Sequence, residues 1–207
     1  VTILKGQLTG MLEGVGVYQN RDKYLLRSLQ VTGRMENLVQ EMLTISRMEA
    51  GAAAMKQEPV ELSALLEEQL KLDAGLLEQR SQHLDKELTP GITTIGDAVL
   101  LGKVLGNLIS NASLYSPDGA GIRIWCGWQD GRPAVTVENT EAHIGEDALP
   151  HLYEAFYREE CSRNRASGGS GLGLYLVKMI LDRHRATCTI ENTADGVRAT
   201  VCFPSIF

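Results

Sequence analysis

Apolar residues begin this chain at heptad spacing. Leu4, Leu8, Met11 and Val15 are four, three and four apart, and after a break at 14–20 the series Val31, Met35, Leu38, Met42, Ile45 continues at four, three, four and three. Two such seams in succession predict an antiparallel helical hairpin. One hairpin buries little surface by itself, so two are expected to pair as a dimeric four-helix bundle, a homodimer through residues 1–50. Packing of the hairpin on its own C-terminal domain is the alternative. Glu49-Ala50-Gly51-Ala52 reads as a helix stop. The hairpin is therefore assigned to residues 1–52 and a second domain to 53–207.

The pattern then changes. Residues 55–60 read as an edge strand, where Pro59 is tolerable. Residues 61–80 read as an amphipathic helix that buries Leu62, Leu65, Leu66, Leu70 and Leu77. Short strands are expected at 83–88 and 92–95. From Asp97, an N-cap, to the stop Ser116-Pro117, the residues Leu101, Val104, Leu105, Leu108, Ile109 and Ala112 form one apolar stripe. Strands 122–128 and 134–138 flank Asp130-Gly131, a hairpin turn signal, and 187–191 and 197–203 flank Asp195-Gly196 in the same way. Between these hairpins, residues 175–181 have the spacing of a buried helix. The order predicts an α+β fold: a helical hairpin followed by an α/β sandwich with a mostly antiparallel sheet.

Composition narrows the class. With 207 residues, 43% hydrophobic and 22% charged, the chain suits one sizeable domain or two small ones. A net charge of −6 argues against a nucleic-acid partner bound by phosphate neutralisation. Cys126, Cys161, Cys188 and Cys202 lack metal-ligand spacing and read as reduced cytoplasmic thiols, three of them in strand-like core runs. No stretch approaches the ~20 apolar residues of a membrane span. The chain starts on Val, so it is expected to be a piece of a longer protein whose remainder is membrane-anchored.

Candidate chemistry lies in two stretches. Gly169-Ser170-Gly171-Leu172-Gly173-Leu174 leads into the 175–181 helix. Alternate glycines let a backbone approach a ligand closely, and a helix start offers N–H groups to an anion. By itself such a run is a weak signal and fits a flexible connection. Upstream, Lys103, Asn107, Asn111 and Tyr115 recur every four residues on the face beside the apolar stripe. Asparagine supplies a neutral oxygen for Mg²⁺ and an amide for phosphate, and tyrosine a flat surface for a base.

Together these stretches resemble the ATP-binding core of bacterial sensor histidine kinases, of the GHKL (Bergerat-fold) superfamily. Asn107-Leu108-Ile109-Ser110-Asn111-Ala112 resembles the asparagine box, Tyr153-Glu154-Ala155-Phe156-Tyr157-Arg158 the phenylalanine box, and the glycine string the second glycine box. Gly10-Met11-Leu12-Glu13, Ser170-Gly171-Leu172-Gly173-Leu174 and Glu191-Asn192-Thr193-Ala194-Asp195-Gly196-Val197 resemble sensor kinases of vancomycin-resistance systems in particular.

The resemblance implies ATP and Mg²⁺ as cofactors. Asn107, Asn111, Tyr115, Asn139, Arg158, Gly169, Gly171, Leu172 and Gly173 would form the nucleotide site, with Asn111 on the metal. It implies transfer of the γ-phosphate to histidine and relay to an aspartate of a response-regulator receiver domain. Val1-Thr2-Ile3-Leu4-Lys5-Gly6 resembles the segment directly after the phosphoacceptor motif, so the acceptor is expected just upstream of Val1. No catalytic residue is then assigned within the chain, and these residues alone are not expected to autophosphorylate. His151 reads as part of a turn, and His143 and His184 as surface or loop residues. Residues 159–168 read as a mobile lid.

Two departures stand out. The family's first glycine box reads Asp-x-Gly-x-Gly, whereas this chain has Asn139-Thr140-Glu141-Ala142-His143; Asn139 keeps an oxygen for an adenine amino group, and the loop is expected to be stiffer. Leu114 replaces a phosphate-contacting Lys, a charge that Lys103, Arg158, Arg163 or Arg165 could supply. Another GHKL ATPase, a serine kinase of that superfamily, or a non-catalytic dimeric scaffold are the competing readings.

Overall fold

A computed structural model describes residues 2–51, 55–158 and 169–205. The chain divides into two units, Val1–Glu49 and Ala50–Phe207.

In the first unit, helix α1 (Thr2–Leu12) is followed by a short 3-10 turn (Gly16–Tyr18) and helix α2 (Arg21–Glu49). The chain reverses where Gly14 takes φ +67° and Gly10 leaves room for the Tyr18 ring, which any Cβ at residue 10 would strike. Polar contacts close the hairpin: the Arg21 guanidinium donates to the Met11 carbonyl, and Ser28 Oγ to Gln7 Oε1, each at 3.3 Å. Of the expected seams, Met11 is buried, Leu4, Val31, Met35, Leu38 and Ile45 are half-buried, and Leu8, Val15 and Met42 are exposed; outside them Leu12, Leu25, Leu29 and Val39 are exposed as well. The isolated hairpin thus leaves much of its apolar surface uncovered.

The second unit is an α/β sandwich. A five-stranded sheet runs in the order β2 (His83–Leu88), β4 (Gly121–Gln129), β5 (Arg132–Thr140), β7 (Gly196–Cys202) and β6 (Thr187–Asn192), with β2–β4 parallel and the other pairs antiparallel. Strands β1 (Glu58–Glu61) and β3 (Thr93–Gly96) form a separate antiparallel pair. Among the described residues, three α-helices pack in this unit: α3 (Leu62–Gln79), α4 (Ala98–Leu114) and α5 (Gly173–Arg183). Every apolar residue expected to face inward on α3 and α4 is buried. Gln69 of α3 rests on Gly102 and Gly106 of α4, where added Cβ atoms would stand 3.2 and 3.0 Å from its amide, so small residues let these helices approach.

Alternation sorts the sheet faces. Ile122, Ile124, Val135, Val137 and Val201 are buried on one. On the other, Asp85, Arg123, Glu138, Arg198 and Glu191 stand in register across all five strands. Glu138 is bridged by Arg123 at 3.2 Å and Arg198 at 2.7 Å. This row floors a groove of about 580 Å³ that Trp125 also lines.

The two turn signals behave differently. Asp130 and Gly131, at φ +51° and +73°, make the two-residue turn that joins β4 to β5. Asp195-Gly196 does not. Thr193 donates to the Gly196 carbonyl at 2.7 Å across a three-residue loop, and Gly196 already belongs to β7. Glycine is needed there for another reason: a Cβ would run into the Asn139 carbonyl of β5.

Candidate functional site

Helix α4 is built to be held at both ends. Asp97 caps its start, with one carboxylate oxygen accepting from the Val99 and Leu100 amides at 3.0 and 3.1 Å. Its end is held by two side chains that sequence reasoning missed. Arg80 Nε donates to Asp118 at 2.9 Å, and its other nitrogens donate to the carbonyls of Ser113 and Ser116. The Gln82 amide donates to the Ser113 carbonyl at 2.9 Å and accepts from Ser113 Oγ at 2.6 Å. The last carbonyls of a helix lack intrahelical partners, and these donors supply them.

The polar face of α4 meets the glycine string. Asn107 donates through Nδ2 to the Lys103 carbonyl at 2.8 Å, which turns Oδ1 outward. That oxygen lies 2.6 Å from where a Cβ on Gly173 would stand. At the other end, a Cβ on Gly169 would be 3.4 Å from the Tyr115 hydroxyl. The string therefore runs along α4 in reverse, and Asn111, half-buried, sits between the two contacts.

Gly171 is held from the other side. Its φ is +73°, and its carbonyl accepts from the Phe156 amide at 2.9 Å. An added Cβ would lie 2.9 Å from the Phe156 backbone. The phenylalanine-box segment and the glycine string are thus laced together, with Phe156 itself at φ +66° and its ring exposed. Leu172 is buried; its amide donates to Ser170 Oγ at 3.0 Å, and α5 begins at the next residue. Arg158 is half-buried at the edge of the described segment. Residues 159–168, with Cys161, Arg163, Arg165 and the expected lid, lie outside the described residues.

Asn139, next to last in β5, is buried, donating Nδ2 to Ser116 Oγ at 2.7 Å. The Ser116 hydroxyl proton goes to the Ala112 carbonyl at 2.7 Å, so Ser116 can only accept from Asn139. This fixes the amide orientation and keeps Oδ1 for another donor. Two residues on, Glu141 has φ +57° at the position of the family's first glycine. The loop that follows is clamped by Asn192, which accepts from the Ile144 amide at 2.9 Å and donates to the Ile144 carbonyl at 2.8 Å.

The histidines are dispersed over the second unit. His83, His143 and His151 are exposed, and His151 Nδ1 lies 2.7 Å from Glu154. His184, read as a surface or loop residue, lies in the turn after α5 but is buried: the chain tucks back there and folds its imidazole under the start of α4. Among the described residues no group of three or more His, Cys, Asp or Glu side chains could hold a metal ion. A cation here would rely on asparagine oxygen and on oxygens of the ligand itself.

The residues present fit a Mg-triphosphate. Gly171 and Gly173 stand where a Cβ would meet the Phe156 backbone at 2.9 Å and the neutral Asn107 Oδ1 at 2.6 Å, and a buried carboxamide, Asn139, has its oxygen to spare.

Residues 96–206 match the family described as histidine kinase-, DNA gyrase B-, and HSP90-like ATPase. The chain is 33% identical over 190 residues to the sensor protein VanSB of Enterococcus faecalis, covering 92% of this chain and 42% of that protein. It is 32% identical over 206 residues to the signal transduction histidine-protein kinase BaeS of Escherichia coli, covering 99% and 44%. Among solved structures, the Acinetobacter baumannii histidine kinase AdeS superposes with a TM-score of 0.76 at 25% identity, covering 100% of this chain and 95% of that one. The histidine kinase ThkA, in complex with the response regulator protein TrrA, superposes with a TM-score of 0.77 at 21% identity, covering 99% and 57%, a likeness of fold. The chain spans less than half the length of the curated relatives named here.

Proposed function

Since the chain belongs to the histidine kinase-, DNA gyrase B- and HSP90-like ATPases, as a bacterial sensor histidine kinase, we propose that it is a kinase core that binds Mg-ATP and phosphorylates a histidine. One observation carries the reading: Gly169 and Gly173 abut Tyr115 and Asn107 on either side of Asn111. Asn111 would hold the magnesium, with the backbone at Gly171, Leu172 and Gly173 facing the phosphates and Arg158 adding positive charge. Tyr115 would flank the base, and Asn139 Oδ1 would accept from its amino group. Bound magnesium supplies charge neutralisation on the transferred group, and the protein contributes mainly positioning.

The acceptor would be an imidazole supplied from outside these residues, because the four histidines all fall in the second unit and none on α1 or α2. The exposed Leu25, Leu29 and Met42 support a homodimer through the hairpin, and the ThkA–TrrA complex supports a response-regulator receiver domain as the phosphate's destination. No helix among the described residues is long and apolar enough to cross a membrane. Anchoring of the full-length protein, with this part in the cytoplasm, rests on its likeness to sensor kinases.

The test is a calorimetric titration with ATP and Mg²⁺: saturable binding that Asn111→Ala abolishes is expected, and its absence overturns the reading. Joined to an upstream histidine-bearing segment, the chain should yield acid-labile, base-stable phosphate. A second reading, a non-catalytic dimeric scaffold, is favoured by Glu141 standing at a glycine position; it predicts no nucleotide binding.

A further inference from the structure

His184 follows α5, and both of its ring nitrogens are engaged. Nε2 accepts from the Asp97 amide at 3.0 Å, and Nδ1 lies 2.8 Å from the Ile180 carbonyl. A peptide N–H only donates, so Nε2 carries no proton; a carbonyl only accepts, so Nδ1 carries one. Two backbone groups therefore select one neutral tautomer. The ring is also fixed sterically, since a Cβ on Gly96 would stand 2.5 Å from Cδ2 and 2.7 Å from Nε2.

The position of this contact gives it a consequence. Asp97 caps the start of α4, the helix of Asn107 and Asn111, and His184 closes α5, whose first residue is Gly173. Going from Asp97 to Asn107 rises roughly 15 Å, and from His184 back to Gly173 roughly 16 Å. The two helices thus touch at matched distances: His184 against Asp97 at one end, Gly173 against Asn107 at the other.

We propose that His184 is a positioning residue for the nucleotide site: as the Nδ1–H tautomer it sets the register of α5 against α4 and so holds Gly173 at Asn107. The proposal rests on the reading of the site given above. Without the imidazole, α5 has no anchor on the Asp97 amide, and the contact at the far end loosens.

The experiment uses the whole chain in four forms: unaltered, His184→Gln, His184→Phe and Gly96→Ala. Gln keeps an acceptor within reach of the Asp97 amide and a donor for a carbonyl. Phe keeps a ring without nitrogen, and Ala at residue 96 displaces the imidazole from the opposite side. Nitrogen NMR of the imidazole is expected to show Nδ1 protonated and Nε2 bare in the unaltered chain. Calorimetric titration with Mg-ATP is expected to show affinity within about threefold for Gln and about tenfold or more weaker for Phe and Ala. Should Phe fail to fold, Gly96→Ala decides.

Unchanged affinity in a folded Phe or Ala variant, even with a lowered melting temperature, overturns the proposal and leaves a purely structural histidine. The opposite tautomer overturns it as well. No binding by the unaltered chain overturns instead the nucleotide reading beneath it, and that control tells the two failures apart.

Discussion

The side-chain oxygen of Asn107 faces Gly173 so closely that a methyl group at residue 173 would lie 2.6 Å from it. Gly173→Ala therefore forces a choice: Asn107 swings away and gives up its bond to the Lys103 carbonyl, or α5 withdraws. Either outcome spoils the proposed site. Affinity for Mg-ATP is expected to fall about tenfold or more, the effect of ~1.4 kcal/mol, with the circular dichroism of the fold retained. Calorimetry alongside the spectrum checks it; full affinity would show that this contact plays no part in binding.

Gly171→Ala should cost stability itself. The residue sits at φ +73° against the Phe156 backbone, which has no flexible end to move aside. A loss of about 1–2 kcal/mol is expected for the conformation alone, read by urea unfolding.

Glu141→Gly should act in the opposite direction. A non-glycine residue at φ +57° bears strain that glycine relieves. A gain of roughly 1 kcal/mol is expected. The same denaturant titration measures it, and a loss would mean that the Glu141 side chain makes a compensating contact.

Asn139→Asp restores the family's usual residue at a price. Ser116 receives its hydrogen bond from the Asn139 amide and gives its proton to Ala112, so a carboxylate would replace a donor by a second acceptor. Destabilisation of about 1–3 kcal/mol at neutral pH is expected, shrinking as acid protonates the new carboxyl. Melting curves between pH 4 and pH 8, roughly spanning carboxylate titration, would reveal the slope.

Burial pushes the Cys126 thiol up to about 12. Its folded value is thus raised above that of the unfolded chain, ~8.5. The sign follows: the thiol's contribution is complete below the unfolded value and is lost as pH rises through the folded one. Alkaline unfolding should steepen between those limits, and Cys126→Ala should soften it. At pH 8 iodoacetamide should leave Cys126 intact in the folded chain and modify it in urea.

Where a residue's work is periodic, it could be read in advance. The stripes of α3 and α4 are buried as their spacing requires, and the glycine string and the Asn face were found by local chemistry. Arg80, Gln82 and Asn192 escaped notice because each serves backbone groups 31 to 48 residues away, which leaves no local pattern. His184 escaped for the same reason, its partner Asp97 lying 87 residues distant. Asp195-Gly196 misled because two demands for glycine look alike in sequence: a left-handed turn, and room for a neighbouring strand.

The charge row on the open face of the sheet bears on what can be added at its borders. It terminates in carboxylates on both outermost strands, Asp85 on β2 and Glu191 on β6. An incoming strand that docked beside either border would have to seat its own residues next to that negative charge, and two copies meeting border to border would set like charges together. The alternation that ties five strands into one layer thus also discourages a sixth.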